Sequence, residues 1–198
     1  MGKHMSDIQA EILNGHLCPV WVGYLLANPL RKLFHNPNKI IGPHIKTGMT
    51  VLDVGSAMGF FSIPAAKMVG LSGRVVCVDC QAEMLAALEK RAKKAGVSSQ
   101  IEPRVCQRTA LGLEDLSGQV DVAFAFAMVH EAPDPSRLLR EIAATLKPGG
   151  TLLVAEPTAH VSRAQIEETL AVTKSLGLKV VDEPKVRQSV SFVLKRAA

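Results

Sequence analysis

Aromatic residues are scarce in this chain: they make up 4% of it, with a single Trp, Trp21, and a single Tyr, Tyr24. A protein that grips single-stranded nucleic acid by stacking bases on rings needs more of them. Cysteine is also thin. Four thiols, Cys18, Cys77, Cys80 and Cys106, are too few and too unevenly placed for a disulfide framework. Cys77 and Cys80 spell C-x-x-C, yet Cys77 lies in the β-branched run VVCVD, where residues three apart face opposite sides of a strand. That spacing excludes a shared metal and makes Cys77 a buried structural thiol. No apolar run reaches the roughly eighteen residues of a membrane span. The N-terminus lacks the order of a signal peptide, and Met1–His4 reads as a tag remnant before a natural start at Met5. The expectation is a soluble cytoplasmic protein. Nor does one sign of charge dominate: the net charge is +5, and the cluster Lys90, Arg91, Lys93 and Lys94 reads as the solvated face of a helix. Nucleic acid is therefore not an expected partner.

What is present is ordinary globular composition, 47% hydrophobic and 21% charged over 198 residues, enough for one domain with a full core. From Met49 onward two textures alternate. β-branched runs appear at TVLDVG (50–55), GRVVCVD (73–79), IEPRVC (101–106), VDVAFAF (120–126), TLLVAE (151–156), LKVVDE (178–183) and SVSFVLK (189–195). Between the first six lie helical patterns over Phe61–Met68, Gln81–Ala95, a short turn at Leu111–Leu116, Pro135–Leu146 and Ser162–Leu176. Strands alternating with helices predict a parallel sheet covered on both faces. Only EPKVRQ joins the last two strands, which is too short for a crossover helix, so they pair as an antiparallel hairpin. The fold class is α/β: a three-layer αβα, seven-stranded sheet, mostly parallel with the last strand antiparallel. Residues 1–37 lack strand rhythm and carry two Asn-Pro turns, so they read as an N-terminal helical segment beside a domain over 38–198. Trp21 and Tyr24 either anchor this segment to the core or, with His35, make it a lid over a pocket.

The stretch VLDVGSAMGF, Val51 to Phe60, is a strand running into a glycine turn. A phosphate loop needs a Lys-Ser/Thr pair after its last glycine, and none follows Gly59. The dinucleotide fingerprint would place its second and third glycines at Ala57 and Phe60. The better fit is D-x-G-x-x-x-G, with Asp53, Gly55 and Gly59. A carboxylate there suits a cationic centre and repels a pyrophosphate, which points to a nucleoside bearing an amino acid. Ala57 in such a turn carries strain if its φ is positive.

Four ordered segments carry a family resemblance: VLDVGSAMG, VVCVD ending in Asp79, VDVAFAFAMVHEAPD, and LKPGGTLLVAEP. Together they resemble the class I S-adenosylmethionine-dependent methyltransferases over roughly residues 38–198, with a Rossmann-like sheet and S-adenosyl-L-methionine as cofactor. The resemblance implies that Asp53, Gly55, Ser56, Ala57 and Gly59 lie against the methionine part of the cofactor, with Ala127 nearby. It implies that Asp79 accepts both ribose hydroxyls, and that Cys80, Gln81 and Met84 border the adenine. Where the family often has an acid after the third strand, this chain has Gln107 and Arg108.

Methyl transfer asks the protein to align donor and acceptor, exclude water and, for a protic acceptor, supply a base. His130 and Glu131 follow the fourth strand, Glu156 ends the fifth, and His160 comes shortly after. His130 is the candidate base; capping a turn is its bland alternative. Glu131 and Glu156 are candidate rim carboxylates, and His160 otherwise just precedes the N-cap Ser162. Cys18, His130 and His160 form a long-range metal or metalloid alternative. A small molecule is the expected acceptor. The rivals are an RNA methyltransferase acting with a partner, a metalloid or thiol methyltransferase, and a non-catalytic cofactor-binding protein. A homo-oligomer is left open.

Overall fold

The computed structural model describes residues 19–21, 23, 28, 31 and 35–197. Cys18 and Tyr24 lie outside the described residues. The elements run in chain order as α1 Pro37–Ile40, β1 Thr50–Val54, α2 Ser62–Val69, β2 Arg74–Asp79, α3 Ala82–Ala95, β3 Ile101–Val105, β4 Val120–Phe126, α4 Pro135–Thr145, β5 Leu146–Pro157, α5 Arg163–Ser175, β6 Leu178–Asp182 and β7 Ser189–Arg196. The seven strands form one sheet in the order β3-β2-β1-β4-β5-β7-β6. Pairings from β3 to β5 are parallel, while β7 pairs antiparallel with both β5 and β6. The hairpin expected from the short EPKVRQ link is thus present, and β6 takes the sheet's edge.

Because the central strands are covered on both faces, their side chains alternate between two cores. Leu52 and Val54 of β1 pack with Leu139 and Ile142 of α4, whereas Val51 packs with Ala65 and Val69 of α2 and Leu85 and Leu88 of α3. Helix starts follow local chemistry. Asp134 caps α4 by accepting the Arg137 N–H ahead of Pro135, and Ser162 caps α5 in a reciprocal box with Gln165. The end of α3 is closed by Gly96 in the left-handed region, φ 71°.

One strand departs from expectation. β5 begins at Leu146 rather than Thr151, because Val120 pairs with Leu146 and Val122 with Thr151. The Lys147–Gly150 turn is therefore a bulge inside a longer strand, with Gly149 at φ 73° taking the bend. Among the described residues, no helix is long and apolar enough to cross a membrane.

Leu139 is fully buried between α4 and the sheet. Leu139→Ala should lower the unfolding free energy by about 2–5 kcal/mol, and Ser162→Ala by about 1 kcal/mol. Urea titrations test both, and equal effects of the two would contradict the assigned core and cap.

Candidate functional site

A cavity of about 440 Å³ opens over the carboxyl ends of the parallel strands, where open α/β sheets place their ligands. Its floor is the glycine turn. The N–H groups of Gly55 and Ser56 both donate to Val78 O, at 2.9 and 3.0 Å, which hooks the turn onto β2. Gly55 has φ 73°, and a Cβ there would lie 3.1 Å from Met128 Cβ, so the turn and the segment after β4 touch through the missing side chain. Gly59 does not line the cavity. It faces α3, where an added Cβ would lie 3.0 Å from Leu88 Cγ. Three non-glycine residues among those described have positive φ: Ala57 at 44°, Ala127 at 54° and Gln188 at 56°. All three line this cavity, which is where strained backbone gathers when a ligand shapes it.

Buried carboxylates organise the floor. Asp79 Oδ2 accepts the Ala57 N–H and Oδ1 the Gln81 N–H, each at 2.9 Å. The first of these bonds holds Ala57 in its positive-φ conformation. Each Asp79 oxygen retains acceptor capacity for a ligand hydroxyl. Asp53 accepts the Ser62 hydroxyl at 2.5 Å beneath the turn. Burial raises its carboxyl to about 7, opposed by the Ser62 bond and assisted by the charge on Asp79. Ser56 Oγ is buried without a hydrogen-bond partner, although its residue lines the cavity.

On the other side, Glu156 is 2% exposed and turned away from the cavity. Its Oε1 accepts the N–H groups of Met128 and Val129, each at 3.1 Å, and its Oε2 accepts the His130 N–H at 3.3 Å and also meets His130 Nδ1. Glu156 therefore fixes the loop after β4 and the His130 ring from behind. Hydrogen bonding to this carboxylate raises the His130 pKa, against an opposing effect of burial. His130 lines the cavity with Glu131 and His160, and its ring meets His160 edge-on at 5.4 Å.

The N-terminal segment reaches the cavity through Gly23, Arg31 and His35. Gly23 is packed so closely on α3 that a Cβ would come within 2.6 Å of Met84 Sδ. Arg31 lies over the Phe60 ring at 4.5 Å. His35 Nε2 meets the backbone carbonyl of Arg187 at 3.0 Å, tying this segment to the β6–β7 hairpin.

Most of the residues expected in a site do converge here. Asp53, Gly55, Ser56, Ala57, Asp79, Cys80, Gln81, Met84, Gln107, Arg108, Ala127, His130, Glu131, His160 and His35 all line the cavity. Three do not. Gly59 packs on Leu88, Glu156 lies behind His130, and Trp21 is 64% exposed, outside both the cavity and the core. Among the described residues, no group of three or more His, Cys, Asp and Glu side chains is arranged to hold a metal. Arg31, Cys106 and the hairpin loop Val186–Ser189 line the cavity without having been anticipated. No local spacing announces them, since they arrive from segments distant in sequence.

A methyltransferase-domain model matches residues 45–190. The chain is 31% identical over 157 residues to an arsenite methyltransferase of Aquipseudomonas alcaligenes, covering 76% of this chain and 45% of that protein. It is 34% identical over 112 residues to a ubiquinone/menaquinone biosynthesis C-methyltransferase of Cellvibrio japonicus, covering 57% of this chain and 44% of the other. The chain thus spans about half the length of these curated relatives. A crystal structure of a SAM-dependent methyltransferase from Aquifex aeolicus superposes with TM-score 0.79 at 25% identity, covering 90% of this chain and 98% of that one.

The position of Asp53 has a consequence for stability. Its carboxyl rises from 3.8 to about 7 on folding, so between these values the folded chain holds a proton that the unfolded chain has released. Stability therefore falls as pH rises across that window and is flat above it. Asp53→Asn should flatten the decline, read as the urea midpoint against pH; an unaltered slope would exclude Asp53 as its source.

Proposed function

Since the chain belongs to the class I S-adenosyl-L-methionine-dependent methyltransferases, we propose that it methylates a small-molecule acceptor, with His130 as the base. The observation that carries this reading is the pairing of His130, on the cavity wall, with the buried Glu156 behind it. The residues present fit the cofactor. The cavity lies within the roughly 300–1,000 Å³ range of small-molecule sites, Ser56 Oγ is a buried polar atom in want of a partner, and Asp79 keeps acceptor capacity at the rim. Asp79 would hold the ribose hydroxyls, the Gly55–Ala57 turn and Ser56 the methionine part, and Cys80, Gln81 and Met84 the adenine. When bound, the cofactor supplies a methyl carbon activated by its sulfonium.

The protein's own contribution is alignment, exclusion of water and a proton acceptor. An ionised Glu156 only accepts, so His130 Nδ1 carries a hydrogen and Nε2 of the neutral ring holds the lone pair. Nε2 is thus the atom that takes the acceptor's proton. Glu156 stabilises the resulting imidazolium, which makes His130 a stronger base. Arg31, His35 and the Val186–Ser189 loop close the cavity from above, and the N-terminal segment acts as its lid. The setting proposed is the cytoplasm. The relatives named as an arsenite methyltransferase and as a C-methyltransferase of ubiquinone/menaquinone biosynthesis support a small acceptor without choosing its atom.

Calorimetry tests the premise: binding of neither S-adenosyl-L-methionine nor S-adenosyl-L-homocysteine would sink the reading. Turnover is then followed by formation of S-adenosyl-L-homocysteine over a panel of thiols, phenols, quinols and arsenite. His130→Ala should lower it by about 10²–10⁴-fold with cofactor affinity unchanged. Glu156→Gln should shift the midpoint of the pH–rate curve to lower pH, because the ring loses the carboxylate that raises its pKa. An unmoved midpoint would remove Glu156 from the role of positioning His130.

A further inference from the structure

Cys106 has no part in the methyl-transfer reading and Cys80 enters it only as a border of the adenine, yet both line the cavity as free, half-buried thiols. The sheet places them side by side. Asp79 of β2 is paired in register with Val105 of β3, and each cysteine is the residue just past the end of its strand. The Cys106 N–H donates to Asp79 O at 3.0 Å, the last bond of that ladder, which holds the two strand ends together where the cysteines follow. Neighbouring strands run about 4.8 Å apart, within the roughly 4.4–6.8 Å Cα separation over which two cysteines can share a bridge. The charge on Cys80 would also oppose ionisation of Cys106.

We propose that Cys80 and Cys106 form a dithiol site for trivalent metalloids at the β2–β3 corner of the cavity, and that its occupancy excludes the cofactor. This corner is separated by the width of β1 from His130, which follows β4, so it is a site apart from the acceptor's. Two thiols suffice for an organic arsenical, whose third valence is already carbon. With phenylarsine oxide, two S–H bonds break, two As–S bonds form and the oxide oxygen leaves as water, with no change of oxidation state. Burial raises both thiols, Cys106 to about 12. Neutral thiols are poor nucleophiles for disulfide exchange, but they carry the protons that the leaving oxygen takes. The other described cysteine, Cys77, is fully buried in β2 with Sγ near Val75 O.

The part that rests on the methyltransferase reading is the placing of the adenine beside Cys80; metalloid capture itself is independent of it. The test uses the full chain with Cys18→Ser, exposed to phenylarsine oxide and read by intact mass. One arsenical per chain should survive excess glutathione and be released by dithiothreitol. Cys80→Ser and Cys106→Ser should each abolish the glutathione-resistant adduct, with circular dichroism confirming the fold. In the chain with both cysteines retained, S-adenosyl-L-homocysteine at about 100 times its Kd should slow capture by about 100-fold. A resistant adduct in either serine variant overturns the site. Capture at an undiminished rate, in protein shown by calorimetry to be saturated with the nucleoside, overturns the exclusion. A chain that captures the arsenical yet binds no nucleoside refutes the methyltransferase reading and the exclusion while supporting the dithiol.

Discussion

Three carboxylates are buried where the strands end, and the cavity takes its shape from the donors they require. A carboxylate removed from water is costly unless N–H or O–H groups replace its hydration. Asp53 finds the Ser62 hydroxyl, Asp79 the amides of Ala57 and Gln81, and Glu156 three consecutive amides and an imidazole. Delivering those donors bends the backbone. The amide of Ala57 reaches Asp79 at a φ of 44°, and Ala127 turns through 54° just before the amides that meet Glu156. Left-handed conformations cost an alanine about 1–2 kcal/mol. The charge-assisted bonds they enable, at about 1.5–3 kcal/mol each, are large enough to hold them.

The same constraint distinguishes the two acids beside the glycine turn. Asp79 meets N–H groups and sits at the rim, with lone pairs left for a ligand. Asp53 has one hydroxyl and lies deeper, near a second negative charge. Its burial dominates, and it holds its proton up to about pH 7. A cation brought into the cavity would favour the ionised form of both, so a sulfonium suits this floor for an electrostatic reason independent of the turn's sequence.

Much of this was legible in the residues, and the limits are physical. The β-branched runs and the cap Ser162 gave the elements because these signals act within a few residues. The glycine turn and Asp79, both visible in the sequence, lie on the floor of the cavity. The start of β5 was not legible, since LKPGG reads as a turn and only pairing with Val120 makes Leu146 part of the strand. Glu156 illustrates a different limit. As a polar residue ending a strand it reads as a candidate for the rim, but its partners lie 26 to 28 residues away and draw it backwards. Trp21 is exposed rather than an anchor, and among the described residues Gly23 and Val20 pack against the pair Met58 and Met84, Gly23 closely because it lacks a side chain.

The upper wall of the cavity unites two segments separated by most of the chain. His35 and Arg187 are 152 residues apart, yet one hydrogen bond joins them above the site. The hairpin that carries Arg187 is held by β5 through β7, and β5 also carries Glu156, which fixes His130. The strand that fixes His130 therefore also anchors the partner of His35. Gln188, next to Arg187, is the third residue in a left-handed conformation, and its carbonyl accepts the Thr158 N–H at 3.0 Å from just beyond β5. Strain at that position is thus restrained by β5, as strain at Ala57 is by Asp79. The His35–Arg187 contact and the orientation of His130 share one element, so a shift of β5 would move both together.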